Sequence, residues 1–451
     1  MSSTVSLAGR EALVLGMGAS GMAAARLLCR HNVRVTLLDA ADTIATRKPA
    51  AILRAMGCAV ITAAAELPEQ NFDLCVASPG LPSDHPWLRA ARRRAIPVLA
   101  ELELGWSFLN APVVAVTGSN GKSTMVKLCA DALRKAGRRT CIAGNYGPPV
   151  SLVALQQAAW DIVVIEVSSF QLEQVQAFRP EVGVLLNVHP NHLDRHGDLE
   201  SYRRLKLRLF ERMGAGDTAI IEQSLLKGLP ADNQPGKAAG RCLSFGMTGA
   251  DILFQAGAIQ DAGGRVLAEL KGTAFDNPVG GLTAAAVAAV LCALGIDPAV
   301  LTVAAQEFKS LPHRRCAVAL VRGVRFIDDS KSTNLAALCA ALQAVPAPIR
   351  LIAGGMGKGE SFAPAAALIR ERVAGLYLIG RDASVMAEAW RGAAASLICD
   401  SLERACEAAW HDARSGDTIL LSPACASYDQ FRNYAERGER FIDWVRRLAR
   451  K

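Results

Sequence analysis

The first apolar run of the chain, Ala12-Leu13-Val14-Leu15, stops at Gly16-Met17-Gly18-Ala19-Ser20-Gly21. A stretch from Met22 to Arg30 follows, then a second apolar run from Val33 to Leu38 that ends on Asp39. A short apolar run, a glycine turn, a helical segment and another short run predict the strand, turn, helix and strand of a Rossmann-type βαβ unit. A further strand, Leu74-Cys75-Val76-Ala77, ends at Ser78-Pro79-Gly80. The pattern restarts with Val113-Val114-Ala115-Val116, a second glycine-rich turn from Thr117 to Thr124 and a helix through Ala136. Two more apolar strands, Ile162 to Ile165 and Val182 to Leu186, run into polar segments. After Leu311-Pro312-His313-Arg314 the theme returns, with strands such as Val324 to Asp328 and Thr418 to Leu421. The expected architecture is α/β in three domains: a Rossmann-like N-terminal domain at 1–106, a central P-loop-type ATPase domain at 107–309 and a Rossmann-like C-terminal domain at 310–451.

Composition agrees with that plan and removes some alternatives. A chain of 451 residues, 51% hydrophobic and 20% charged, buries substantial cores and excludes wholesale disorder. Its formal net charge of +8 falls short of a nucleic-acid footprint. The basic runs Arg89, Arg92, Arg93, Arg94 and Arg446, Arg447, Arg450, Lys451 read as solvated helix faces, so no nucleic-acid partner is expected. The uncharged stretch from Val279 to Ile296 approaches membrane-spanning length, yet it follows Pro278, contains Gly280-Gly281 and is mostly alanine. A buried helix is expected there, with no membrane insertion. The twelve cysteines include no CxxC pair, which excludes a zinc ribbon and a disulfide scaffold and favours reduced thiols. Arg10 and Glu11 interrupt any secretory apolar segment, and a cytoplasmic location is expected.

The two glycine turns carry the candidate chemistry. Gly16-x-Gly18-x-x-Gly21 brings backbone N–H groups of a helix start, at Gly18, Ala19 and Ser20, to a phosphate; NAD and a UDP-type pyrophosphate fit it equally well, with Asp39 placed for ribose hydroxyls. In the second turn Gly121-Lys122-Ser123 supplies backbone donors, a cation for β and γ phosphates and a hydroxyl for Mg²⁺. The Walker spacing would put its first glycine at Val116, whereas this chain has Gly118, giving the rarer form Thr-Gly-x-Asn-Gly-Lys-Ser-Thr. Glu166 ends an apolar strand, where a Mg²⁺ ligand belongs in an open α/β sheet. His189, His192, Asp194 and Arg195 follow the next strand and suit metal, phosphate or carboxylate binding.

Together with Gly144-Asn145-Tyr146-Gly147, Tyr202 to Lys206, Asp328 to Asn334 and Ser422 to Ser427, these ordered blocks resemble the Mur ligases over nearly the whole length. The likeness is greatest to those that add D-glutamate to UDP-N-acetylmuramoyl-L-alanine. The resemblance implies ATP-driven amide synthesis through an acyl phosphate, in peptidoglycan precursor synthesis, by a monomer. It implies ATP at Gly118, Asn120, Gly121, Lys122, Ser123, Thr124, His313, Arg314 and Asp329, and the UDP substrate at Gly18, Ala19, Ser20, Asp39, Asn145 and His192. It also implies the amino acid at Lys331, Thr333, Lys358, Ser427 and Tyr434. Mg²⁺ would lie at Ser123, Glu166, His192 and a carbamylated Lys206, and Lys122, His192 and Lys206 would be catalytic.

Two departures stand out. Many Mur ligases carry His-Asn-x-x-Asn, with adenine-contacting amides, at the start of an alanine-rich helix; here the residues before Ala284 are Val279-Gly280-Gly281-Leu282-Thr283. Ala40 and Ala41 stand after Asp39 where some relatives have a Thr-Arg pair that contacts uracil. The rival readings are a sister ligase for another amino acid or a folate-type substrate, a non-catalytic nucleotide-binding relative, and a dehydrogenase using the first loop.

Overall fold

The computed structural model describes residues 8–156, 158–228 and 240–450, which form three sheets. The first contains β1 (Glu11–Leu15), β2 (Arg34–Leu38), β3 (Ala59–Ile61), β4 (Leu74–Ala77) and β5 (Val98–Ala100), all parallel, in the order β3-β2-β1-β4-β5. The second contains β6 (Val113–Thr117), β7 (Thr140–Gly144), β8 (Ile162–Glu166), β9 (Val182–Leu185), β10 (Thr218–Glu222), β11 (Arg241–Gly246), β12 (Ile252–Gln255), β13 (Ala258–Asp261) and β14 (Val266–Glu269). Its order is β14-β13-β12-β11-β10-β9-β6-β8-β7, and the pairs β12–β13 and β13–β14 are antiparallel. The third holds β15 (Cys316–Val321), β16 (Val324–Asp328), β17 (Ile349–Gly354), β18 (Val373–Ile379), β19 (Ser396–Ile398) and β20 (Thr418–Leu421), ordered β15-β16-β20-β17-β18-β19 with β15 alone antiparallel.

The central strands are uninterrupted apolar runs because helices cover both faces of a parallel sheet. In β1 the alternation is visible: Ala12 and Val14 join one buried cluster with Leu37 and Val76, while Leu13 and Leu15 join another with Leu38 and Cys75. The third sheet repeats this, with Leu351, Leu376 and Leu420 on one side and Ile352, Tyr377 and Leu421 on the other.

The described residues divide into two compact units. One takes those of Met1–Asn187, Tyr202–Asp276 and Gly280–Gln306, and the other those of Val188–Ser201, Asn277–Val279 and Glu307–Lys451. The first and second sheets belong to the first unit, so the boundary expected near residue 106 separates two sheets of one unit.

The helix Ala19–Arg30 starts three residues earlier than its apolar pattern, inside the glycine signature, with Gly18 as N-cap. The alanine-rich segment forms the helix Pro278–Ala293, buried throughout Ala284–Leu291. Among the described residues no helix is long and apolar enough to cross a membrane. The first basic run is only partly a solvated face. Arg92 donates to the Ser83 carbonyl and to Gln174 Oε1, and Arg94 donates to the carbonyls of Pro68, Glu69 and Gln70. Both guanidiniums therefore tie loops together. Arg446, Arg447 and Arg450 are exposed, and Lys451 lies outside the described residues.

Candidate active site

In an open parallel sheet, ligands gather at the C-terminal strand ends where the strand order reverses. In the first sheet that point lies between β1 and β4, so the loops after Leu15 and Ala77 meet. A side chain at Gly21 would put its Cβ 1.8 Å from the Gly16 carbonyl oxygen, which explains why the last signature residue is glycine. Gly18 and Ala19 are exposed and Ser20 half-buried at the start of the helix, leaving their backbone N–H groups to face an anion. Both Asp39 oxygens are engaged within the chain, Oδ2 by the Met17 N–H at 2.7 Å and Oδ1 by the Ala41 N–H at 2.9 Å. In this structure the carboxylate fixes the shape of the glycine loop. Across the switch point Ser78 Oγ is buried beside Gly16 with no hydrogen-bond partner among the described residues. An unspent buried hydroxyl at that place is a ligand-binding candidate that composition and spacing did not single out. Its signal was a Ser-Pro-Gly turn directly at a strand's C-terminal end.

The second sheet places its phosphate loop after β6, between β8 and β9. Asn187, just past β9, clamps it: Oδ1 accepts the N–H groups of Ser119 and Asn120 at 3.0 and 2.9 Å, and Nδ2 donates to the Asn120 carbonyl at 3.1 Å. Gly121 is the N-cap of the helix Lys122–Lys135. Ser123 Oγ donates to Glu166 Oε2 at 2.5 Å, and Asn145 Nδ2 donates to Oε1 at 2.5 Å. Ser123 and Glu166 are buried while Thr124 is half-buried. Thr117 Oγ1, at the end of β6, is buried with no hydrogen-bond partner among the described residues. A hydroxyl in contact with a carboxylate, with a further unspent oxygen at the strand end, is a hard donor set that suits Mg²⁺.

Two lysines converge on the same loop carbonyl. Lys122 Nζ donates to Gly118 O at 2.8 Å and to Ser119 O at 3.1 Å, and Lys206 Nζ donates to Gly118 O at 2.9 Å. Lys206 is 1% exposed, and its ammonium stands 4.3 Å from the Tyr202 ring centroid. Burial, helped by repulsion from Lys122 and opposed by Glu166, pulls its pKa well below the ordinary lysine value.

The second unit brings three loops to one edge of the third sheet, after the adjacent strands β16, β20 and β17. His313 Nδ1 lies 2.6 Å from Asp328 Oδ2, which orients the ring. A Cβ on Gly438 would reach within 2.1 Å of that nitrogen, so the imidazole seats directly on the helix Tyr434–Ala449. Asp329 accepts from the Arg315 N–H and from Ser422 Oγ, joining two loops, and burial pushes it up to about 7. Lys331 Nζ sits 3.7 Å above the Tyr434 ring, Ser427 is buried, and Thr333 and Arg314 are half-buried. Lys358 Nζ donates to Asn191 Oδ1 at 3.0 Å. His192 is in this second unit, whereas Lys122, Glu166 and Lys206 are in the first. His192, His313 and Ala424 all adopt left-handed backbone conformations, at φ 56, 60 and 60°. Such non-glycine conformations cluster at functional sites.

Residues 10–100 match the Mur ligase MurD-like N-terminal domain, 116–292 the Mur ligase middle domain and 313–425 the Mur ligase glutamate ligase domain. The chain belongs to the Mur ligase family. It is 37% identical over 459 residues to the UDP-N-acetylmuramoylalanine--D-glutamate ligase of Pelotomaculum thermopropionicum, with 98% of each chain covered. It is also 37% identical to the enzyme of that name from Myxococcus xanthus, covering 99% of this chain and 100% of the other. Among solved structures, the fold resembles MurF ligase from Thermotoga maritima in complex with ADP, at a TM-score of 0.63 and 17% identity, covering 92% of this chain and 95% of that one.

Membership of the Mur ligase family bears on the altered adenine motif. The alanine-rich helix begins at Pro278, a favoured first helical residue, which puts Asn277 directly before it. Val279 to Thr283, the residues after that proline, carry no amide, and Asn277 is the amide side chain next to the helix start. Thr283 of the same helix places Oγ1 4.0 Å from where a Gly121 Cβ would stand, so the helix passes beside the phosphate loop.

Proposed function

We infer that this chain is an ATP-dependent ligase that joins D-glutamate to UDP-N-acetylmuramoyl-L-alanine in peptidoglycan precursor synthesis, acting as a cytoplasmic monomer. The observation that carries this reading is one glycine loop holding Lys122, Lys206 and the Ser123–Glu166 pair, in a chain related over its full length to D-glutamate ligases.

The substrate carboxylate attacks the γ-phosphate of ATP to give an acyl phosphate and ADP. The amine of D-glutamate then attacks the acyl carbon, and phosphate leaves from the tetrahedral intermediate. Each step gathers anions, so the groups needed are cations and preorganised donors. Lys122 and the loop N–H groups hold the β and γ phosphates. Ser123 and Glu166 would hold Mg²⁺, with substrate phosphates completing its shell; the ion neutralises charge on the reacting phosphates. Lys206 is read as a carbamate that adds an anionic oxygen donor, with His192 as a further ligand. Asn277 is the adenine-contacting amide, and His313 and Arg314 frame the nucleotide. The glycine-loop N–H groups, Asp39, Ser78, Asn145 and His192 receive the UDP substrate, and Asp329 stands with His313 and Arg314 on the nucleotide; each carboxylate keeps acceptor capacity beyond the chain groups it already binds. Lys331, Thr333, Lys358 and Ser427 receive D-glutamate, whose two carboxylates suit two cations and two hydroxyls. The Tyr434 ring under Lys331 holds that cation in place.

The test is phosphate release with ATP, Mg²⁺ and UDP-N-acetylmuramoyl-L-alanine, comparing D-Glu, L-Glu, D-Asp and L-Lys. Only D-Glu is expected to support rapid turnover; equal use of L-Lys overturns the reading. Lys358→Ala is expected to raise chiefly the KM for D-Glu, because it removes a carboxylate partner.

The missing amides at Val279 to Thr283 give a second expectation, with Asn277 beside the helix start as the candidate replacement. A lost hydrogen bond of this type is worth about 0.5–1.5 kcal/mol, or several-fold in affinity. Asn277→Ala should raise the KM for ATP several-fold with kcat little changed, and the parent chain should prefer ATP over GTP only modestly. Values of kcat/KM for both nucleotides decide it: an unchanged KM in the variant removes Asn277 from adenine recognition.

A further inference from the structure

Cys29 lies near the end of the helix Ala19–Arg30, and Cys58 follows the turn at Gly57 that leads from the helix Ile44–Ala55 into β3. Their Sγ atoms are 3.3 Å apart. Cys58 is buried in the cluster around Val33, Val35 and Leu53, whereas Cys29 is only partly buried. Cys29 is the less buried of the pair and Cys58 lies against it, which suits an attacking and a resolving thiol.

The contact also divides their chemistry. Donation from the Cys58 thiol holds Cys29 down to about 7 against the opposing effect of burial, while the same contact pushes Cys58 up. Each of the other ten cysteines is pushed up by burial, Cys75, Cys129 and Cys425 to about 12. Thiolate, not thiol, is the nucleophile, so the chain has one thiol favoured for oxidation at neutral pH.

We propose that Cys29 and Cys58 form a peroxide-responsive dithiol that closes to a disulfide and is reopened by thiols. The Cys29 thiolate attacks one oxygen of hydrogen peroxide; the O–O bond breaks, hydroxide leaves and is protonated to water, and Cys29 is oxidised to the sulfenic acid. The Cys58 sulfur, giving up its proton, then attacks Cys29 Sγ; the S–O bond breaks and a second water leaves. Two thiols and one peroxide become one disulfide and two waters. The sulfurs must close to about 2.05 Å, a movement of about 1.2 Å shared by two side chains.

The experiment uses the full-length chain, reduced, freed of thiols, treated with a small excess of hydrogen peroxide near neutral pH, alkylated and mapped by mass spectrometry. The expected product is a peptide pair joined through Cys29 and Cys58, formed before any other cysteine is oxidised and lost on adding dithiothreitol. In Cys58→Ser the reaction should stop at a Cys29 sulfenic acid that dimedone captures, and Cys29→Ser should keep its free thiols at the same dose. Oxidation of other cysteines while this pair stays reduced overturns the proposal, and that observation on the parent chain requires no variant to fold.

Discussion

Lys206→Ala is expected to lose about a hundredfold or more in ligase activity, the scale seen when a group that stabilises charge in the reacting complex is removed. The expectation rests on a chemical mismatch that the proposed carbamate would resolve. Lys206 is fully buried beside Lys122, on a loop whose work is to hold anions and a divalent cation. A second ammonium there would repel the metal. The environment that lowers its pKa favours the neutral amine, the form that adds to CO₂ to give a carbamate and release one proton. The proposed modification would put an anionic oxygen donor in place of a buried amine. The sign with pH follows: more neutral amine and proton release both make the carbamate more abundant as pH rises. At limiting CO₂ the parent enzyme should therefore gain activity with pH and with added bicarbonate, and Lys206→Ala should not. Formate or acetate should restore part of the activity of Lys206→Ala by supplying a loose carboxylate, with recovery limited by the entropy that a tethered group has already lost. Activity of the variant equal to that of the parent removes Lys206 from the reaction.

What the sequence revealed of the fold and site depended on how local each feature's cause was. The two glycine turns and the apolar strands before them could be read because loop, strand and helix start lie within a dozen residues, and their chemistry is written in consecutive positions. Asp39 and Asp329 illustrate the limit. An acidic residue at a strand end reads as a ligand-binding group; that each carboxylate also accepts from groups of its own chain, and so shapes its loop, is visible only in three-dimensional contacts. Asn187 had a visible place after its strand but no visible partner, because the loop it clamps is 67 residues away at Asn120.

Arg437 left no trace in any motif, and its replacement is expected to be the most damaging single change in the third sheet's loops. It is 0% exposed on the helix Tyr434–Ala449, and its guanidinium donates to Ser330 Oγ, Ser330 O, Cys425 O and Gly354 O. Those acceptors sit at or just past the ends of β16, β20 and β17, whose loops also carry Lys331, Ser427 and Lys358. A planar fork of five donors can join three strand-end loops at once, which neither lysine nor a neutral side chain can do. Arg437→Met keeps much of the volume but leaves three buried carbonyls without that donor, each at a cost of about 1–3 kcal/mol before relaxation. A net loss of roughly 3–5 kcal/mol is expected, as when one partner of a buried charged network is removed. That corresponds to a fall of about 10 °C in the melting temperature of the unit that contains it. Because the loops it joins bear the proposed D-glutamate contacts, the surviving enzyme should show a raised KM for D-Glu, and a smaller change for ATP. Arg437→Lys, which retains charge but cannot span all the acceptors, should fall between parent and Arg437→Met in both measurements. Unchanged melting and an unchanged KM for D-Glu in Arg437→Met would mean that the three loops are held by their backbone contacts alone, such as the paired N–H to carbonyl bonds of Met356 and Ala426.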